Sequence, residues 1–129
     1  MSIIPDDFRD LLERPLYGHL GTIRPDGTPQ VNPMWFTWDG EFLRFTTTTV
    51  RQKHKNVTAN PEVAISVNDP DQPYRYLEVR GKVVRIEDDS TGEFVADIAA
   101  RYGRKLDGPP ADVQYRVVYV VEPTAVSKS

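Results

Sequence analysis

Residues 17–48 read YGHLGTIRPDGTPQVNPMWFTWDGEFLRFTTT, and this stretch decides the fold class. An extended run from Tyr17 to Ile23 leads into Pro25-Asp26-Gly27. Those three residues are turn chemistry: Pro presets φ, Asp bonds nearby backbone, and Gly tolerates positive φ. A second extended run spans about Pro29 to Trp38, and Asp39-Gly40 after it is a strong hairpin signal. Phe42 to Thr48 returns as a strand rich in aromatic and β-branched residues. Strands joined by turns this short pair antiparallel.

The rest of the chain fits around this core. Toward the N-terminus, Ile4 to Arg14 reads as a short amphipathic helix. Pro5 and the acids Asp6 and Asp7 suit its first turn, Phe8, Leu11 and Leu12 share a face, and Pro15 ends it. Toward the C-terminus, Thr49 with Gln52 has the capping-box spacing and predicts a helix to about Ala59, stopped by Asn60-Pro61. Val63, Ile65 and Val67 alternate as a half-buried strand does, and Asp69 to Pro73 is a turn. The strand Tyr76 to Ile86 changes apolar phase from Leu77, Val79 and Val83 to Val84 and Ile86, which predicts a bulge. Ser90 with Glu93 is a second capping box, followed by Phe94, Ile98 and Tyr102 at helical spacing and by Gly103 as a C-terminal cap. After a loop from Arg104 to Asp112, Tyr115 to Val121 is almost continuously apolar and reads as a strand buried on both sides. The expectation is a mainly β fold with flanking helices, a six-stranded antiparallel barrel, and one domain over residues 1–129.

Composition narrows the chemistry. The chain has no cysteine, which removes disulfides, thiolate catalysis and Cys-ligated clusters. Its two histidines, His19 and His54, show no metal-ligand spacing, so no metal site is expected. The net charge of −3 argues against nucleic-acid binding, including an oligonucleotide-binding barrel. No apolar run is long enough for a membrane helix, and the acidic N-terminus does not read as a signal peptide; a cytoplasmic protein is expected. No Gly-rich phosphate loop and no GxSxG nucleophile motif is present.

The segment richest in chemistry is Thr46-Thr47-Thr48-Thr49-Val50-Arg51-Gln52-Lys53-His54-Lys55-Asn56. A helix N-terminus offers unpaired N–H groups and partial positive charge to an anion. Threonine hydroxyls can add donors, Arg51 can grip a phosphate with two parallel bonds, and Lys53 adds a point charge. A solvated helix with ordinary basic residues would have the same letters. Met34, Trp35, Phe36 and Trp38 crowd one strand, and Tyr74 and Tyr76 flank Arg75. Such aromatics pack a core or subunit interface, or flank a flat ligand. His19 reads as a packed or surface residue, His54 as facing solvent or the anion, and Asp88-Asp89 as helix-stabilising acids.

Several pieces in order resemble the pyridoxamine-phosphate-oxidase-like flavin-binding split barrels. They are Gly21-Thr22-Ile23, Asp26-Gly27-Thr28-Pro29-Gln30, Arg51-Gln52-Lys53-His54-Lys55-Asn56, Asn60-Pro61-Glu62-Val63, Leu77 to Val84, and Val121-Glu122-Pro123-Thr124-Ala125-Val126. The resemblance implies a homodimeric split barrel with cofactor at the subunit interface. It implies that Arg51 and Lys53 hold the cofactor phosphate with Asn56 nearby. The ring would lie against Asn32, Pro33, Met34 and Trp35 and against Thr46, Thr47 and Thr48, and Tyr76 would reach in from the partner. The short chain looks most like the branch that uses the deazaflavin coenzyme F420, whose acidic tail Lys55 could meet. Pyridoxamine-phosphate oxidases bind substrate phosphate with an Arg and a His in a longer C-terminal part; the stretch from Tyr115 to Ser129 has no such His, which argues against vitamin oxidation. The implied function is an oxidoreductase passing a hydride to a small electron-poor organic acceptor. An FMN-dependent enzyme of the same fold and a non-catalytic carrier are the alternatives. No catalytic acid is assigned.

Overall fold

The computed structural model describes residues 2–129; Met1, the first residue of the expected domain, lies outside them. Seven strands form one sheet: β1 (Gly18–Ile23), β2 (Pro29–Met34), β3 (Phe36–Trp38), β4 (Leu43–Thr48), β5 (Glu62–Asp69), β6 (Gln72–Asp88) and β7 (Arg116–Lys128). Their order is β2-β1-β5-β6-β7-β4-β3, and every neighbouring pair is antiparallel.

The expected count of six strands is corrected to seven, because the run from Pro29 to Trp38 divides at Trp35. Up to Met34 it pairs with β1, and from Phe36 it pairs with β4. Pro33 has no N–H with which to extend a ladder. The ladder therefore changes partners within two residues. β2 and β3 are the two edges of the sheet, and Trp35 alone separates them. Covalent continuity brings the edges together, so the sheet curls and its seam falls at Trp35.

Inside the curl pack Leu20, Phe36, Leu43, Phe45, Ile65, Val67, Leu77, Val79 and Tyr119, all at most 2% exposed. β7 bears out its continuous apolar run, since Val117 to Val121 are all buried. Val117, Tyr119 and Val121 belong to the barrel core. Val118 and Val120 point the other way and are buried outside it, as are Val95, Ile98 and Ala99 of helix α3 (Glu93–Arg101).

The expected bulge in β6 is present: the register against β7 shifts between Val83 and Arg85. It shifts again between Arg80 and Gly81, where the strands approach so closely that a Cβ at residue 81 would stand 2.6 Å from the Glu122 carbonyl oxygen.

The helices depart from expectation in detail. The N-terminal one is a 3-10 turn, Asp6–Phe8, followed by one α-helical turn, α1 (Asp10–Glu13). So short a helix has little stability of its own. It is held by tertiary bonds from Arg75, which donates to the Asp7 carbonyl at 2.8 Å and to the Asp10 carboxylate at 2.6 Å. Neither capping box forms. Helix α2 (Gln52–Ala59) starts from Arg51, and the Gln52 amide donates to Asn56 Oδ1 instead. Helix α3 starts from Gly92, which takes the left-handed conformation at φ 78°. Its first-turn N–H groups, from Phe94 and Val95, donate to the Asp89 carboxylate at 2.9 and 3.0 Å. Asp89 is therefore the cap, and Ser90 bonds Asp88. Among the described residues no helix is long and apolar enough to cross a membrane.

Candidate functional site

Helix α2 is pinned to the sheet by two side chains. The Asn56 side chain is fully buried, and its amide donates to Thr22 Oγ1 and Gln30 Oε1, both at 2.9 Å. One half-turn earlier, His54 Nδ1 meets the buried Tyr119 hydroxyl at 3.0 Å with the two rings stacked. These contacts tie α2 to β1, β2 and β7. His54 thus faces the core rather than solvent or an anion, a correction to the sequence expectation.

At its start α2 has no side-chain cap. Arg51 is exposed and Lys53 half-buried, and among the described residues neither joins an ion pair. Burial lowers the Lys53 ammonium below its ordinary pKa, and the charges of Arg51 and Arg116 lower it further. Three cations therefore share one corner. Arg116 is itself held by Asp112, at 3.0 and 3.3 Å, and donates to Thr46 Oγ1 at 3.3 Å. Opposite Arg116 in the ladder sits Thr48, 1% exposed, whose hydroxyl has no hydrogen-bond partner among the described residues. A buried polar group without a partner is disfavoured unless a ligand or water satisfies it.

Beside this corner lies a cavity of about 350 Å³ lined by Tyr17, Pro33, Met34, Trp35, Thr46, Val95 and Arg116. It opens at the barrel seam, because Pro33, Met34 and Trp35 are where β2 gives way to β3. Its aromatic wall is a stack. The Tyr102 ring lies 5.0 Å from Trp35 at 14° and 6.0 Å from Tyr17 at 26°. The Arg104 guanidinium sits 5.8 Å from the centre of the Trp35 ring. One end of the cavity is thus flat and apolar, the other cationic. That pairing suits a flat conjugated ring carrying an anionic substituent. A larger cavity of about 470 Å³ lies along β1, β5 and β7 and holds none of the expected site residues.

The family model for pyridoxamine 5'-phosphate oxidase matches residues 4–129. The chain belongs to the pyridoxamine 5'-phosphate oxidase family. Among solved structures it is similar to an F420 reductase at 63% identity and a TM-score of 0.95, over 98% of this chain and 100% of that one. The HupZ protein of Group A Streptococcus is 19% identical, covering 98% of this chain and 94% of that one, with a TM-score of 0.72. General stress protein 26 of Bacillus anthracis is 23% identical, covering 95% of this chain and 91% of that one, also at 0.72. The last two share the fold. Among curated proteins none matches.

Within this family fold the expected residues divide. Pro33, Met34, Trp35 and Thr46 line the cavity, and Thr48, Arg51 and Lys53 gather at its cationic end with Arg116. Asn32 is half-buried on β2, and Thr47 points into the barrel with Phe45. Lys55 is exposed on α2. Asn56 lies beneath the site, its amide donors spent on Thr22 and Gln30. Tyr76 lies far off, bonded to Ser129 at the opposite end of β7 from Arg116, and does not join this chain's cavity. Sequence reasoning missed Arg116, Tyr17 and Val95. The only signal for Arg116 was a charge opening an otherwise apolar strand.

Proposed function

We propose that this protein is an oxidoreductase that holds coenzyme F420 at the seam cavity and uses its reduced form to pass a hydride to a small electron-poor organic acceptor. The observation that carries this reading is the gathering of Arg51, Lys53 and Arg116 at one corner beside an aromatic-walled cavity. The F420 reductase at 63% identity supports it. When bound, the deazaflavin supplies the hydride chemistry. The chain supplies position and charge. Arg51 and Lys53 would hold the phosphate, Arg51 with its fork of donors and Lys53 with a point charge. Trp35 and Met34 give the flat ring an apolar wall, and Lys55 stands further along α2 for an acidic tail.

The reading includes a homodimer with the cofactor between the chains. Tyr17, just before β1, and Val31, on β2, are 55% and 62% exposed and are apolar surface for a partner to cover. Matched fluorescence titrations with light scattering test the whole. F420 is expected to bind more tightly than FMN, to a dimer. Equal or tighter FMN binding moves the reading to an FMN enzyme, and binding of neither removes it.

The lowered pKa of Lys53 gives a pH dependence. Below that pKa Lys53 is charged and attracts the phosphate; above it the charge is gone. Ligand affinity is therefore expected to fall as pH rises through a value below 10.5, earlier than for an ordinary lysine. Without ligand the sign reverses. Burial penalises the charged form, so the ligand-free fold gains stability as Lys53 loses its proton. Titrations and thermal melts across the alkaline range, compared with Lys53→Met, check both directions.

A further inference from the structure

We infer that Tyr102 is a positioning residue for the cavity: its hydroxyl pins the barrel seam and so sets where the Trp35 and Tyr17 rings stand. Tyr102 belongs to neither edge of the sheet. It follows the last residue of α3, yet its hydroxyl accepts the Phe36 N–H at 3.1 Å and donates to the Leu16 carbonyl at 2.7 Å. Phe36 is the residue after Trp35, and Leu16 is the residue before Tyr17. One hydroxyl therefore ties together the two backbone segments that carry the cavity's aromatic wall, and the ring it belongs to is stacked between theirs.

The preceding residue reinforces the pin. Arg101 Nε donates to the Phe36 carbonyl at 3.0 Å. Its other nitrogens donate to the carbonyls of Leu12, Glu13 and Arg14 at 2.9, 3.2 and 3.0 Å, where α1 ends. Phe36 lies on an edge strand, so its outward N–H and C=O have no further strand to pair with; Tyr102 and Arg101 take both. Burial raises the Tyr102 pKa, so the phenol keeps its proton and can donate. Among the described residues, β2 and β3 are the two edges of the sheet and pair with different neighbours, so strand pairing does not hold the sheet closed at the seam.

The consequence for ligand rests on the reading of the cavity as a cofactor site, and the experiment separates the two. The chain has two tryptophans, so Trp38→Phe leaves Trp35 as the sole reporter and Trp35→Phe leaves Trp38. Tyr102→Phe is placed in each, keeping the stacked ring and deleting both hydrogen bonds. Iodide quenching of the ligand-free protein, well below its melting temperature, is expected to rise for Trp35 and stay unchanged for Trp38. In the chain with both tryptophans, Tyr102→Phe is expected to raise the F420 dissociation constant about tenfold, equal to about 1.4 kcal/mol. Unchanged Trp35 quenching overturns the inference, and so does an equal rise at both tryptophans, which marks general loosening. If Tyr102→Phe does not fold, hydrogen exchange in the unaltered protein decides. A protected Phe36 N–H supports the pin, and a fast-exchanging one overturns it. An unaltered chain that binds no F420 removes the cofactor reading and leaves the quenching comparison to judge Tyr102.

Discussion

Arg51→Ala is expected to weaken cofactor binding by roughly ten- to a hundredfold while leaving the melting temperature of the ligand-free protein almost unchanged. A hydrogen bond to a charged group contributes roughly 1.5–3 kcal/mol, and about 1.4 kcal/mol is a factor of ten in affinity. The structure explains why stability is spared. Arg51 is exposed at the start of α2, and the helix is held by other side chains, His54 on Tyr119 and Asn56 on Thr22 and Gln30. Removing Arg51 also takes positive charge away from Lys53, whose pKa it helps to lower. The variant should therefore shift the alkaline loss of binding to higher pH. Arg51→Lys should recover part of the affinity, since it restores the charge but not the two-pronged contact. Titration of F420 and FMN alongside melting curves checks all of this. Normal binding in both Arg51→Ala and Lys53→Ala would place the phosphate elsewhere.

Asn56→Ala is expected to do the reverse, lowering stability first and binding second. Its side chain is fully buried and links Gln52, Thr22 and Gln30. Alanine there leaves several partly buried polar groups without a partner, at roughly 1–3 kcal/mol for each that finds no water, so about 2–4 kcal/mol in all. For a chain of this size each kcal/mol moves the melting temperature by roughly 3–5 °C, and a fall of about 10 °C is expected in the ligand-free protein. Any loss of affinity should follow from α2 losing its seat. Asn56→Ala that melts normally but fails to bind ligand would return Asn56 to direct contact with the cofactor. The two variants separate residues only five apart in sequence into one that meets ligand and one that holds the helix.

Much of the architecture was legible in local sequence. Turn residues mark the hairpins at Pro25-Asp26-Gly27 and Asp39-Gly40, and the phase change at Val83-Val84 marks the bulge that the register confirms. The unbroken apolar run of β7 announces burial on both faces. These features depend on backbone geometry within a few residues, or on a strand's own pleat, and a sequence carries that directly. The capping boxes misled because their spacing is a local preference that tertiary partners can outbid. The Glu93 N–H went to Thr91 and the Ser90 N–H to Asp88, Asp89 capped α3 through Phe94 and Val95, and Asn56 took the Gln52 amide.

The sequence by itself determined an antiparallel barrel of this family and placed basic residues at the start of a helix after a threonine run. The expectation that Asn32, Pro33, Met34 and Trp35 meet the same ligand came from the family resemblance and not from any local pattern. Only the tertiary structure decided that the strand before Trp38 divides at Trp35 and closes the barrel there. It alone brought Arg116, some 65 residues along the chain, beside Arg51 and Lys53. It alone turned Asn56 inward and set Tyr102 across the seam. The reason is physical. Composition and periodicity report which face of an element is apolar, but which distant element supplies a polar partner depends on strand order and register. Those are settled only when all the strands compete for the same neighbours.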